Sequence, residues 1–514
     1  MLPPLARLRR PVTTALLVAA AWLAVPRDAD ASYGFYVGKN LTADGSVLLG
    51  GTGEEVSGHW LEIVPRRKHA PGDTVTVGVT DEASIPGKLT TIPQVPETFR
   101  YLTMNYSDYQ GFPAPLTNGG LNEHGVAIRD IWSTSRRELI EMTPRPQQGP
   151  QYSDLARIAL ERARTAREAV EIIGRLIDEH GYSTYGGNSH LIADKDEGWV
   201  VLQFAGGKGL WAAERLGPDE VRASYPGYIG EFPPDYRDNP DFMGSANLIS
   251  FAEEQGWHDR AAGKPFNIHG VYSRQDLPMR SGAKFWAIEE IEAELRAAAP
   301  MTPAKMMKMV RDPRIADEEA GYGQVAHLRG DVRPELNLVW VAPTGSVTAP
   351  FIPWHLGAEE VPPEFGIHRY LYRNAGAHFL NPAFQSQEAT EFAGRLFKRL
   401  MYHTCARPET FLPEVTAALE AFEGRMLAEI GDVQRTADIL YARDEPALGS
   451  RYLSFYSRTR AMEGMRLGHD LLASVETRSK LIFGIPAAPG GEINSTGGET
   501  PNCLVGHDPD QPRR

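Results

Sequence analysis

The sequence predicts an α+β layered fold with a helical C-terminal part, and three observations carry that expectation. Strand-like segments cluster between residues 32 and 128. Amphipathic helices cluster between residues 153 and 180. From about Gln385 onward the apolar residues recur at helical spacing over long stretches. Strands grouped with strands and helices with helices point to layers of each kind.

The chain begins with the three-part grammar of a secretory signal peptide. Arg7, Arg9 and Arg10 precede the apolar run from Ala15 to Val25; Pro26 then breaks it, and Ala29 and Ala31 form an A-x-A cleavage site. The run is too short to span a bilayer, which needs about 20 residues. Cleavage after Ala31 would make Ser32 the first residue, so that a hydroxyl and an α-amine share one residue. A serine hydroxyl needs an adjacent base to act as a nucleophile. An α-amine, with an ordinary pKa of about 7.7–8, suits general-base work near neutrality.

Tyr33 to Tyr36 reads as a strand, Asp44-Gly45 as a turn, and Val47 to Gly50 as a second strand. The expected terminus therefore opens a hairpin, a rigid place for a reactive group. A third strand runs from His59 to Val64, with a shorter one at Thr74 to Val77. Thr117 to Asn122 reads as a loop delivering a strand through Ile128. Ser153 and Asp154 offer caps for a helix ending at Arg162, and Thr165 with Glu168 forms a capping box. That box opens a second helix with Ala169, Ile172, Ile173, Leu176 and Ile177 on its inner face, closed by His180-Gly181. Asn188–Ala193 and Trp199–Phe204 form a hairpin around 194–198. Further helices are expected over 283–298 and from Thr302 to Met309, with a strand over 336–342. The C-terminal helices are expected at 385–401, 409–431 and 433–476, the last broken around Pro446-Ala447-Leu448-Gly449. The resulting division is a signal peptide (1–31), a core (32–380), a helical subdomain (381–485) and a Gly-, Pro- and polar-rich tail (486–514) expected to be disordered.

A hydrophobic content of 42% and a charged content of 23% are those of a soluble globular protein. The net charge of −13 argues against nucleic acid as a partner. With no second apolar stretch long enough to cross a membrane, the mature protein is expected to be exported, periplasmic or secreted, with no membrane partner. Its oligomeric state stays open. Cys405 and Cys503 are the only cysteines. They read as two unpaired residues, one buried and one in a loose tail, with a disulfide as the alternative in an oxidising compartment. No metal motif, P-loop or G-x-S-x-G elbow is present, so no cofactor is expected. His124 reads as a turn residue, and His190 as a buried strand residue.

Several segments together carry a family resemblance. They are Phe35-Tyr36-Val37-Gly38-Lys39 with Asp44-Gly45-Ser46, Asn118-Gly119-Gly120-Leu121-Asn122-Glu123, Tyr185-Gly186-Gly187-Asn188-Ser189-His190, Asn337 to Pro343, and Pro350 to Trp354. From Ser32 to about residue 480 the chain resembles the N-terminal-nucleophile dipeptidases of the dipeptidase A and secernin group, distant relatives of penicillin V acylase and bile-salt hydrolase. The resemblance implies a four-layer α-β-β-α sandwich and hydrolysis of amide bonds in small substrates, dipeptides or N-acyl compounds, through an acyl-enzyme. It also implies that Ser32 is the nucleophile, with its own amine as base. Asn188 would lend its side-chain amide to the oxyanion hole, and a backbone N–H around Asn118 would join it.

The chain departs from the family pattern at two places. Serine stands where the family nucleophile is normally cysteine. Gly51 stands where an arginine is expected, and Glu54 where an aspartate would hold the α-amine. A basic residue near the midpoint of the chain, Arg280 or Lys284 with the alignment favouring Lys284, would help polarise the site. The lost arginine motivates an acyltransferase or a non-peptide amidase as the alternative activity. A secreted binding protein that has lost its chemistry is the alternative outside the enzymes.

Overall fold

A computed structural model describes residues 32–54, 59–107, 109–274, 286–316, 320–368, 390–443, 445–484 and 503 of the 514-residue chain. The expected signal peptide, Arg280, Lys284 and most of the C-terminal tail lie outside the described residues.

Two antiparallel sheets form the centre. The first has six strands in the order Val221–Ser224, Gly34–Val37, Val47–Glu54, Ala320–Leu328, Leu338–Ala342 and Ile352–His355. The second has eight, in the order Phe242–Gly244, Trp211–Leu216, Gly198–Gln203, Asn188–Ala193, Ala127–Ile131, Leu116–Asn122, Tyr101–Tyr106 and Trp60–Val64. The strand after Ser32 thus lies inside the first sheet, with Gly34 opposite both Ser224 and Gly51.

The sheets face each other. A Cβ placed on Gly34 would fall 2.5 Å from Ile131 and 3.0 Å from Leu191, both on the second sheet. Glycine is what lets the two sheets approach here, since no side chain intervenes. The outer face of the second sheet is covered by helices Tyr152–Arg162 and Ala166–His180, whose buried aliphatic residues pack on Ile128, Ile192, Trp199 and Val201. On the outer face of the first sheet lies helix Pro303–Val310, where a Cβ on Gly50 would meet Met306 and Val310. The order of layers is α-β-β-α, with a helical C-terminal part, as the sequence predicts.

Local chemistry explains most boundaries. The side chain of Thr165 accepts from the backbone N–H of Glu168, and all five expected inner-face residues of that helix are buried. Gly181 closes it at φ 83°, a conformation that favours glycine. The preceding helix is capped two residues earlier than Ser153, the first of the expected caps. Gln151 accepts from Ser153 N, and Asp154 reaches back to Gln151 N, so Asp154 is the partner in the cap.

Three expectations need correction. The segment around Asn118 is a strand, Leu116–Asn122, not a loop: its glycines allow close approach, a Cβ on Gly120 falling 2.4 Å from Leu102 O. The second and third long helices are Pro408–Ala442 and Pro446–Phe483, so the chain breaks before Pro446 and runs unbroken past Gly431-Asp432. Proline starts a helix readily because its missing N–H would be unpaired there in any case. Cys405 and Cys503 are joined in a disulfide. Cys503 is accordingly buried against Ala316, Val347, Met401 and Leu412, and does not belong to a loose tail. The C-terminal helices share one continuous apolar core with the first sheet, in which Phe397, Leu400 and Phe411 join Ile352 and Trp354.

Candidate active site

Ser32 is buried, 1% exposed, at the head of the strand that runs between two neighbours in the first sheet. The next residue is locked in place. Thr52 N donates to Tyr33 O at 3.1 Å, Tyr33 N donates to Thr52 Oγ1 at 3.4 Å, and the Tyr33 ring stacks on Tyr225 at 4.3 Å between centroids.

Two irregularities in the sheets face this end of the strand. In the second sheet the register between Tyr101–Tyr106 and Leu116–Asn122 slips at Asn118, between the pairs Met104 with Gly119 and Asn105 with Thr117. In the first sheet the register slips at Gly321, beside Gly53 and Glu54. A bulge re-aims a side chain and ends regular pairing, which is why bulges recur next to active sites. Here they bring Tyr322 and Asn118 together: the Tyr322 hydroxyl donates to Asn118 Oδ1 at 2.5 Å. The ring of His59 lies 4.9 Å from that of Tyr322.

Arg129 completes the cluster from the second sheet. It is fully buried. Its Nη1 donates to the Tyr322 hydroxyl, and its Nη2 donates to Thr52 O and, at 3.4 Å, to Tyr33 O. The guanidinium also sits 4.9 Å over the Tyr322 ring. Glycines make the room. A Cβ on Gly53 would fall 2.1 Å from Tyr322, and one on Gly51 would fall 1.9 Å from Tyr33 O.

The structure therefore brings Asn118 to the inter-sheet layer beside the residues that hold Tyr33. It does not bring Asn188 there. Leu191 faces the first sheet, and the alternation of the strand turns Asn188, His190 and Ile192 to the opposite, helix-covered face. The amide of Asn188 is engaged on that side: its nitrogen donates to Asp130 Oδ1 and to Ser189 O at 3.2 Å, and its oxygen accepts from the Tyr185 hydroxyl at 2.7 Å. Ser189, one residue on, faces inward and pairs with Ser133 at 2.8 Å. Glu54 closes its strand opposite Ala320, and its side chain lies outside the described atoms. His190 Nε2 donates to Tyr152 O at 3.1 Å on the helix-covered side.

The sequence reading missed Arg129 and Tyr322. A signal for Arg129 existed: Arg129-Asp130 interrupts an otherwise apolar strand, and such charges are buried only with partners or for a purpose. Among the described residues no group of three or more His, Cys, Asp or Glu side chains is placed to hold a metal ion. A groove lined by Arg67, His69, Asp73, Arg157 and Glu161 contains none of the expected site residues.

A sandwich of two facing antiparallel sheets between helices, with a buried serine at the head of an inner strand, fits the resemblance read from the motifs. The chain belongs to Peptidase family C69, whose family profile matches residues 32–290. It is 28% identical over 245 residues to proteins described as "Probable dipeptidase B" from Streptococcus pyogenes serotype M3 and serotype M1. That stretch is 47% of this chain, and the chain spans about half the length of those relatives, 46% in each case. Among solved structures, a variant of the conjugated bile acid hydrolase from Clostridium perfringens is 11% identical with a TM-score of 0.32, covering 64% of this chain and 93% of that one. The fold is read from the two sheets themselves.

Proposed function

We propose that this chain is an exported N-terminal serine hydrolase that cleaves amide bonds in small substrates, dipeptides or N-acyl compounds. The observation that carries the proposal is Ser32, buried at the head of an inner strand, at the residue where the family match begins. After removal of the preceding segment, the α-amine of Ser32 takes the hydroxyl proton, through a water, as Oγ attacks the carbonyl carbon. The amine then protonates the leaving nitrogen, and water releases the acyl group from Ser32 Oγ.

The bulged segment at Asn118 is the proposed source of oxyanion stabilisation, the place where the family resemblance implies a backbone donor, beside the residues that hold Tyr33. A single such donor is worth about 3–4 kcal/mol in the transition state. Asn188 is left out of this role because its amide is spent on Asp130 and Ser189. The disulfide between Cys405 and Cys503 supports export, since such bonds persist in oxidising compartments.

The test is to express the full chain in a secreting bacterial host and determine the mass of the mature protein. A terminus at Ser32 and a stable adduct with a β-lactone at that residue are the expected results. Ser32→Ala should fold normally and lose hydrolysis of a dipeptide and N-acyl-amine panel by at least about a thousandfold. A mature chain beginning elsewhere, or a folded Ser32→Ala protein with full activity, overturns the reading.

A further inference from the structure

We propose that Arg129 is the positioning residue that keeps the α-amine of Ser32 neutral, and so able to accept a proton, at physiological pH. This rests on the reading of Ser32 as an N-terminal nucleophile. The guanidinium is completely buried, and its hydrogen-bond partners are all uncharged: the Tyr322 hydroxyl and the carbonyls of Thr52 and Tyr33. Its Nε makes no hydrogen bond, and no carboxylate among the described residues pairs with it. A buried cation normally comes with an anion, because removal from water is costly. Here the described residues surround the charge with uncharged partners and fix it with a rigid fork beside the first strand.

The position of that fork gives it an effect on the amine. Nη2 lies 3.4 Å from Tyr33 O, one residue from the Ser32 nitrogen. An extended residue spans about 3.3–3.6 Å, so charge and amine lie within about 10 Å across a buried layer. A cation at that distance disfavours a second positive charge and lowers the pKa of the ammonium. The same hydrogen bonds hold Tyr33 and Thr52 in register, which fixes where the amine points.

Other titratable groups also surround this end of the strand. Tyr33, Tyr225 and Tyr322 are phenols, and the titratable ring of His59 lies tilted against that of Tyr322, 4.9 Å between centroids. Asp130 is turned to the helix-covered side and bonds Asn188. Arg129 is the cation that the described residues place on this face.

The experiment uses the mature full chain. The pH dependence of kcat/KM is measured for the wild type, Arg129→Met and Arg129→Lys, and circular dichroism checks folding of each. In parallel, labelling of the Ser32 α-amine by a limiting amine-reactive ester is followed by mass spectrometry against pH, which needs no activity. The wild-type amine should titrate at about 7 or below. In Arg129→Met both the acidic limb of the rate profile and the labelling midpoint should move up by about one pH unit, and Arg129→Lys should keep most of the shift. A folded Arg129→Met protein with unmoved midpoints overturns the inference, whatever its kcat. Should Arg129→Met not fold, a wild-type labelling midpoint at or above the ordinary value of about 8 overturns it, and a midpoint near 7 in the wild type that stays near 7 in Arg129→Lys supports it. Failure of the nucleophile reading shows up separately, as retained activity in Ser32→Ala.

Discussion

Burial does most of its work one side chain at a time, and two histidines show this. His190 is enclosed between sheet and helix, and burial pushes its pKa down to about 4. His355 is fully buried beside Tyr456, and the same cause pushes it down to about 3. A histidine in the unfolded chain binds a proton below about 6.5. These two refuse it in the folded protein, so their contribution is complete above pH 6.5 and is lost as the pH falls toward 4 and 3. Each should reduce stability by about 1.4 kcal/mol per pH unit across that window. His355→Leu removes one of the two terms. Urea midpoints of wild type and variant should therefore converge or cross between pH 7 and pH 5, and parallel lines would refute the assignment. At this scale the expected cleavage pattern singled out Ser32 as the proposed nucleophile, whereas Arg129 was hidden. One charged residue inside Ala127–Ile131 states neither which sheet face it occupies nor what it meets there. That depends on Tyr322, 193 residues away.

Elements were more legible than their ends. Short apolar runs beside turn signals identified Val47 to Gly50 and the hairpin from Asn188, and helical spacing identified Ala166–His180. What failed was the meaning of glycine. Asn118-Gly119-Gly120 carries turn chemistry, yet in the structure it is a bulged strand, because those glycines let Leu102 O and Ile128 O approach. Local sequence cannot distinguish a glycine used for a turn from one used for closeness. The disulfide is another feature joining distant parts, closing a separation of 98 residues between helix Ala393–Cys405 and Cys503. Bonds of this kind typically contribute about 2–4 kcal/mol by restricting the unfolded chain. Replacing both cysteines with serine should lower the unfolding temperature, and wild type in reductant should approach the variant. Equal melting of oxidised wild type and the double variant would show that the bond is energetically idle.

For the whole molecule, the question is what fixes the C-terminal helices to the sandwich. Much of the contact is apolar, but one buried ion pair gives it geometry. Arg311, just past helix Pro303–Val310, donates to both carboxylate oxygens of Glu423, with Nη1 at 2.9 Å from Oε2. Glu423 also accepts from Phe351 N at 2.8 Å, ahead of strand Ile352–His355, and Arg311 Nε donates to Ser346 O at 2.9 Å. Removing one member leaves the other buried without its counter-charge. Glu423→Gln should therefore cost about 3–5 kcal/mol in denaturant unfolding. The double replacement Arg311→Met with Glu423→Leu should recover much of that loss. A single variant as stable as wild type would mean that the pair is incidental to docking.

The sequence by itself determined the strands, the helices, the α+β class and the residue expected to react, because these follow from short-range periodicity and from a cleavage pattern read over a few residues. Tertiary structure alone decided that Asn188 turns away toward the helices, that Asn118 and Tyr322 meet, that Cys503 is tied down, and that a guanidinium stands behind Tyr33. The physical reason is that each of these depends on which face of which sheet meets another. Sheet pairing joins residues tens to hundreds of positions apart, and a slip of one residue reverses every side chain.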